Sequence, residues 1–245
     1  MKTALVTGGS KGIGLATVLR LLQSGYQVIT CSRNQNDWLE QCRIHPELDK
    51  VDYHSLDIAV ESQLDDFFAS ITERYGQLDV AVNNASPAIA SRGQFDSVDF
   101  AALKSTLDVD FWSQAYCLKR EIALMQNGGT IVNISSVNGL RPTPNAAMYS
   151  AAKHALEGLT RSIALESIER GIRINAVAPG VTWTPRWQER QAEEPEIKEQ
   201  VSQVVPAKRF AKVGEVVDAI EFLLSSQSSY VVGHTLVVDG GLSLS

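Results

Sequence analysis

Tyr149 and Lys153 stand four residues apart in Tyr149-Ser150-Ala151-Ala152-Lys153, so on a helix they share one face with adjacent side chains. A free phenol and a free ammonium both titrate near ~10 and exchange protons poorly at neutral pH. A positive charge held beside a phenol favours its phenolate form and brings it toward the range where it can give or take a proton. Ser136 lies at the exit of a predicted strand, where its hydroxyl can donate a hydrogen bond to an oxygen on which charge develops. The three together suit proton transfer at a carbonyl or alcohol oxygen. Alone, a Tyr-x-x-x-Lys spacing fits an ordinary surface pair as well.

A second cluster lies at the start of the chain. The first predicted strand runs into Thr7-Gly8-Gly9-Ser10-Lys11-Gly12-Ile13-Gly14 and then into a helix. Glycines at this point let the backbone turn sharply and approach a pyrophosphate, whose charge sits at the amides and the positive dipole end of the helix. Gly8, Ser10, Lys11, Gly12, Ile13 and Gly14 are therefore candidate dinucleotide-binding residues. About 20 residues further on, an NAD-binding chain usually presents a carboxylate to the ribose hydroxyls. Here the second strand ends Cys31-Ser32-Arg33-Asn34, with no carboxylate until Asp37. Arg33 and Lys11 converge as two cations that suit a 2′-phosphate, which favours NADP(H) over NAD(H). Asp57-Ile58 after the third strand and Asn84-Ala85 after the fourth complete the predicted groove, at the carboxyl ends of strands where open α/β sheets bind ligands.

The elements that must position these residues follow from periodicity. Short β-branched runs at 3–7, 27–32, 51–56, 78–83, 130–135, 172–178 and 235–238 alternate with helical patterns at 13–23, 36–44, 61–75, 100–125, 146–169 and 215–224. That alternation predicts an α/β fold, a single-domain Rossmann-type doubly wound parallel sheet with helices on both faces, spanning residues 1–245. Residues 182–210 break the rhythm with two Trp and a charge-rich stretch, and read as a substrate flap beside the sheet.

Composition excludes other classes. A chain of 245 residues with 44% hydrophobic and 20% charged residues builds a core without a metal or disulfide. The net charge of −6 and the lack of any basic run argue against nucleic acid or an anionic membrane as partner. No apolar run approaches the roughly 18 residues of a membrane span. Three cysteines without ligand spacing and four scattered histidines predict reduced thiols and no metal site. With no leader pattern at the N-terminus, a cytoplasmic protein is expected.

Taken in order, TGGSKGIG, the Asp57-Ile58 pair, Asn83-Asn84-Ala85-Ser86, the Ser135–Gly139 strand exit, YSAAK, Asn175–Gly180 and Gly233–Gly241 resemble the short-chain dehydrogenase/reductase family over essentially the whole chain. The resemblance implies an NADPH-preferring oxidoreductase acting on a small carbonyl or alcohol substrate. It selects Ser136, thirteen residues before Tyr149, and gives Lys153 a second task at the nicotinamide ribose. Tyr149 and Lys153 thus count as cofactor contacts too. Pro179 and Gly180 open the segment that covers the nicotinamide, and Thr184 takes the position that touches its amide. The implied assembly is a homo-oligomer, tetramer or dimer. Two positions depart from the family pattern. Asp110 occupies the place of an Asn that supports the proton relay, and Ser86 replaces the glycine of NNAG. Asp110 is the sole support for the alternative, an NADP(H)-binding sensor without turnover.

Overall fold

The computed structural model describes all residues, Met1–Ser245. Seven strands, β1 (Thr3–Thr7), β2 (Gln27–Ser32), β3 (Asp52–Ser55), β4 (Val80–Asn83), β5 (Gly129–Ile134), β6 (Ile172–Pro179) and β7 (Thr235–Val238), form one parallel sheet in the order β3-β2-β1-β4-β5-β6-β7. The chain winds outward from β1 through β2 to β3, returns, and continues from β4 on the other side of β1. The strand order therefore reverses between β1 and β4, and a crevice opens there at the strands' carboxyl ends.

Alternate strand residues feed two cores. Leu5, Ala81 and Ile131 face a layer made by α3 (Glu61–Tyr75), α5 (Ser113–Leu124) and α6 (Ala147–Ser167), through Phe67, Leu118 and Leu156. Ala4, Val6, Val82 and Val132 face the other layer, built by α1 (Gly12–Gln23), α2 (Gln35–Ile44) and α9 (Val213–Leu224), through Val18, Trp38 and Ile220. Strands buried on both faces are near-continuous apolar runs, as the middle of β1 is, whereas β6 carries Arg173 and Asn175, whose side chains are bonded to the Ser228 and Val231 carbonyls.

The sequence expectations are met for every strand, with shifts of a residue or two at some ends. Two helical stretches differ. The expected helix at 100–125 is α4 (Phe100–Leu107), a π turn (Asp108–Trp112) and α5. The π turn carries one extra residue per turn and swings Asp110 inward, where it is 1% exposed. Residues 182–210, expected as a flap beside the sheet with no helix named in it, contain α7 (Pro185–Glu193) and α8 (Ile197–Val204). Pro185 begins α7, which buries no residue fully; its polar composition hid the helical period.

Candidate active site

The glycine turn is built by close approach. Gly8 adopts φ +74°, and a Cβ there would stand 2.8 Å from the Ala85 Cα. Asn84 ties the same corner together, its side-chain amide donating to the Thr7 and Gly8 carbonyls at 3.0 and 3.2 Å. The α1 N-terminus that follows has neither a side-chain cap nor an acidic residue in its first turn. Its amides are left open to an external anion.

A cleft of about 500 Å³ runs from this turn across the ends of the central strands. Every residue named from the sequence as cofactor-binding lines it, except Gly14. Gly14 lies beneath the turn instead, where a side chain would collide with the Gly8 carbonyl; it is a packing glycine of the helix start. Arg33 and Lys11 both line the end of the cleft beside the glycine turn. Lys11 is not a free cation, since its ammonium pairs with Asp37 at 3.0 Å, and Asp37 lines the cleft as well. That carboxylate lies in the first turn of α2, just after the bend that carries Arg33.

At the other end, Ser136, Tyr149 and Lys153 line the same cleft. Close backbone contact holds them in register. Gly139 packs so tightly on α6 that a Cβ would lie 2.9 Å from the Lys153 carbonyl carbon. Ser150 Oγ donates to the Asn138 carbonyl at 2.6 Å, pinning the strand exit to the helix. Ser136 Oγ accepts from the Asn138 N–H at 3.1 Å, so its own proton remains available to a ligand oxygen. Tyr149 is 9% exposed and Lys153 1%. The Lys153 ammonium stands 5.5 Å from the Tyr149 ring centroid and donates to the Ile134 carbonyl at 3.3 Å. Behind it, Asp110 Oδ1 is 3.4 Å from Lys153 Nζ and accepts from Ser86 Oγ at 2.6 Å. Asp110 itself does not line the cleft.

The end of the cleft beside Tyr149 mixes apolar and charged side chains. Pro87 and Trp187 line the cleft. Trp183 does not; it packs edge-on against Phe210 at 5.1 Å with the Lys198 ammonium 4.1 Å over its ring, and so anchors α7 and α8. Val137 packs with Val205 and Leu242. Sequence reasoning missed Arg186, which lines the cleft and donates to the Ser86 carbonyl at 2.6 Å.

A glycine turn with open helix amides at one end of a cleft and a Ser-Tyr-Lys corner at the other define the dinucleotide oxidoreductases built on a doubly wound sheet. The comparisons agree. The family model described as Enoyl-(Acyl carrier protein) reductase matches residues 8–243. The chain is 32% identical to the levodione reductase of Leifsonia aquatica, covering 99% of this chain and 94% of that one. It is 36% identical to the glucose 1-dehydrogenase of Gluconobacter oxydans, over 99% and 92%. Among solved structures, ElxO with NADP bound superposes at a TM-score of 0.93 with 31% identity, covering 100% and 99%. The chain belongs to the short-chain dehydrogenase/reductase family and is an oxidoreductase of that family.

Proposed function

We propose that residues 1–245 form one catalytic domain, an NADPH-preferring reductase of a small carbonyl compound that runs as an alcohol dehydrogenase in reverse, with residues 182–210 as its substrate flap. The observation that carries this reading is the single cleft that joins Arg33 and Lys11 at one end to Ser136, Tyr149 and Lys153 at the other. The residues fit a dinucleotide phosphate: uncapped α1 amides suit the pyrophosphate, and Arg33 with Lys11 suits a 2′-phosphate. The NADP-bound neighbour supports the same choice.

Bound there, the nicotinamide would supply the hydride. The chain's own residues handle the proton. Ser136 Oγ–H holds the substrate oxygen and stabilises the charge that develops on it. Tyr149 Oη–H delivers the proton to that oxygen and is left as phenolate. The Lys153 ammonium stabilises the phenolate electrostatically and, with Asp110 behind it, forms the path by which the proton is replaced. In the oxidative direction each transfer reverses. The three cysteines are free thiols, in keeping with a reducing cytoplasm. The exposed small-residue face of α6, where a Cβ at Gly158 would meet nothing, supports a homo-oligomer, tetramer or dimer.

The test is NADPH oxidation by purified protein against a panel of ketones and aldehydes, with NADH alongside. Turnover is expected, with NADPH bound about tenfold or more tighter than NADH, the scale of charge-assisted contacts to one phosphate. Arg33→Asp should erase that preference. Equal affinity for both cofactors in the unmodified protein would overturn the NADPH assignment, and binding without turnover on any substrate would favour the sensor. Light scattering showing a monomer at micromolar protein would remove the oligomer.

A further inference from the structure

Asp110 and Ser86, distinct in sequence and on different elements, meet in one buried contact next to Lys153. A carboxylate and an ammonium whose side chains are each 2% exposed have lost their water. Their mutual attraction offsets that loss only if further hydrogen bonds satisfy what remains of each group. Ser86 Oγ provides such a bond to Asp110 Oδ1 at 2.6 Å, short as charge-assisted bonds are.

Ser86 is itself held from several sides. Its carbonyl accepts from Arg186 Nη2 at 2.6 Å. The preceding Ala85 carbonyl accepts from the buried Gln114 side chain at 2.6 Å, and the Ala85 N–H donates to Thr7 Oγ1 at 3.1 Å. A hydroxyl fixed this firmly fixes the carboxylate it touches.

The effect passes on to the ammonium. Lys153 Nζ has three donors. One reaches the Ile134 carbonyl at 3.3 Å and one faces Asp110 Oδ1 at 3.4 Å. The third is left for the cleft that Lys153 lines beside Tyr149. Serine and lysine share the same carboxylate oxygen, so they compete for its charge. A strong bond from Ser86 keeps Asp110 from drawing the ammonium back off the cleft. The other charged or titratable groups at this corner are Tyr149 on α6 and Arg186 on α7; Lys11, Arg33, Asp37, Asp57 and Glu189 also line the cleft.

We propose that Ser86 is a positioning residue of this active site, which acts through the Asp110 carboxylate to set how much of the Lys153 charge reaches Tyr149. This rests on the reading of Tyr149 and Lys153 as the proton-transferring pair. The contact also gives the site a solvent-side link, because Ser86 lines the cleft while Asp110 does not.

The experiment compares Ser86→Ala, Ser86→Thr, Asp110→Asn and Ser86→Ala with Asp110→Asn. Single-turnover reduction, NADPH affinity by fluorescence titration and the pH profile of alcohol oxidation are measured for each. Ser86→Ala should slow single turnover about tenfold, the scale of one charge-assisted hydrogen bond, and leave NADPH affinity within about threefold. Ser86→Thr keeps the hydroxyl and should restore the rate. In the Asp110→Asn background the serine change should cost less than about twofold, because the carboxylate it acts through is gone. The pH profile supplies a sign that a purely structural role would not move. Asp110→Asn removes the negative charge behind the ammonium and should shift the rising limb of oxidation to lower pH. Ser86→Ala frees the carboxylate to draw on the ammonium and should shift it to higher pH. Equal costs of Ser86→Ala in both backgrounds, or an unshifted limb, would overturn the proposal; if Ser86→Ala does not fold, Ser86→Gly removes the same hydroxyl and takes its place with the same expected cost and sign. Tyr149→Phe run in parallel separates the two readings: retained turnover there defeats the mechanism, whereas its loss with a silent Ser86→Ala defeats only this inference.

Discussion

Two buried carboxylates on one long helical stretch have opposite surroundings. Asp110, in the π turn, meets an ammonium and a serine hydroxyl. Glu121, farther along α5 and 0% exposed, meets no cation; its one partner is the Asn83 side-chain amide at 2.8 Å. Burial pushes the Glu121 carboxyl up to about 8, against a smaller lowering by Asn83. Asn83 in turn bonds Asn133, and Asn133 bonds Thr160 of α6, so this group belongs to a polar seam between β4, β5 and two helices. Depth in the protein therefore does not decide what a carboxylate does. Its partner does: an ammonium ties Asp110 to the proposed proton path, and an amide ties Glu121 to the scaffold.

The largest effect that would break this division is expected at the phenol. Tyr149→Phe should lower single-turnover reduction by ~10²–10⁴, the usual scale for general acid catalysis, while denaturant midpoints stay close to those of the unmodified protein. A rate within about threefold of the unmodified protein would show that the corner around Asp110 is not the seat of proton transfer.

A smaller effect distinguishes the scaffold end. Glu121 is an acid whose folded-state value, about 8, lies above its ordinary 4.5. Below the ordinary value both folded and unfolded chains hold the proton, and its contribution to stability is complete. Between the two values the unfolded chain has released the proton and the folded one retains it. Stability from this group thus falls as pH rises, by about 1.4 kcal/mol per pH unit, and levels off above the folded value. Glu121→Gln should flatten that part of the curve, read as urea midpoints against pH, with turnover unchanged. An identical pH dependence in the variant would show that the carboxyl ionises without penalty where it lies.

The smallest expected effect is at the exposed end of the cleft where Lys11 meets Asp37. Asp37→Asn frees Lys11, and because that pair is 49% and 25% exposed it is worth under about 1 kcal/mol, so NADPH should bind up to about fivefold tighter and NADH unchanged. Equal gains for both cofactors would remove Lys11 from the 2′-phosphate.

The same contrast explains what the sequence made legible. Strands buried on both faces, such as 80–83 and 130–134, declare themselves by short runs rich in β-branched and small residues, and the residues at their carboxyl ends fall into one cleft because the topology puts all those ends together. The π turn at Asp108–Trp112 has no such signature, since its residues are ordinary helix residues and only tertiary packing inserts the extra one. Asp110 and Ser86 could each be singled out as departures from a pattern, yet 24 residues separate them and nothing local announces their contact. The α7 helix was hidden for the opposite reason: it has no apolar stripe to read.

That missing stripe has a consequence for how such enzymes diversify. Because α7 leaves every one of its residues at least partly in solvent, most substitutions along it should change stability by no more than about 0.5 kcal/mol. Yet Arg186, Trp187 and Glu189 form one bank of the cleft. On the proposed reading of this segment as the substrate flap, the wall that meets the substrate is thus a part of the protein whose sequence drifts cheaply, and a lineage can sample new substrates there while the seven-stranded frame stays as it is.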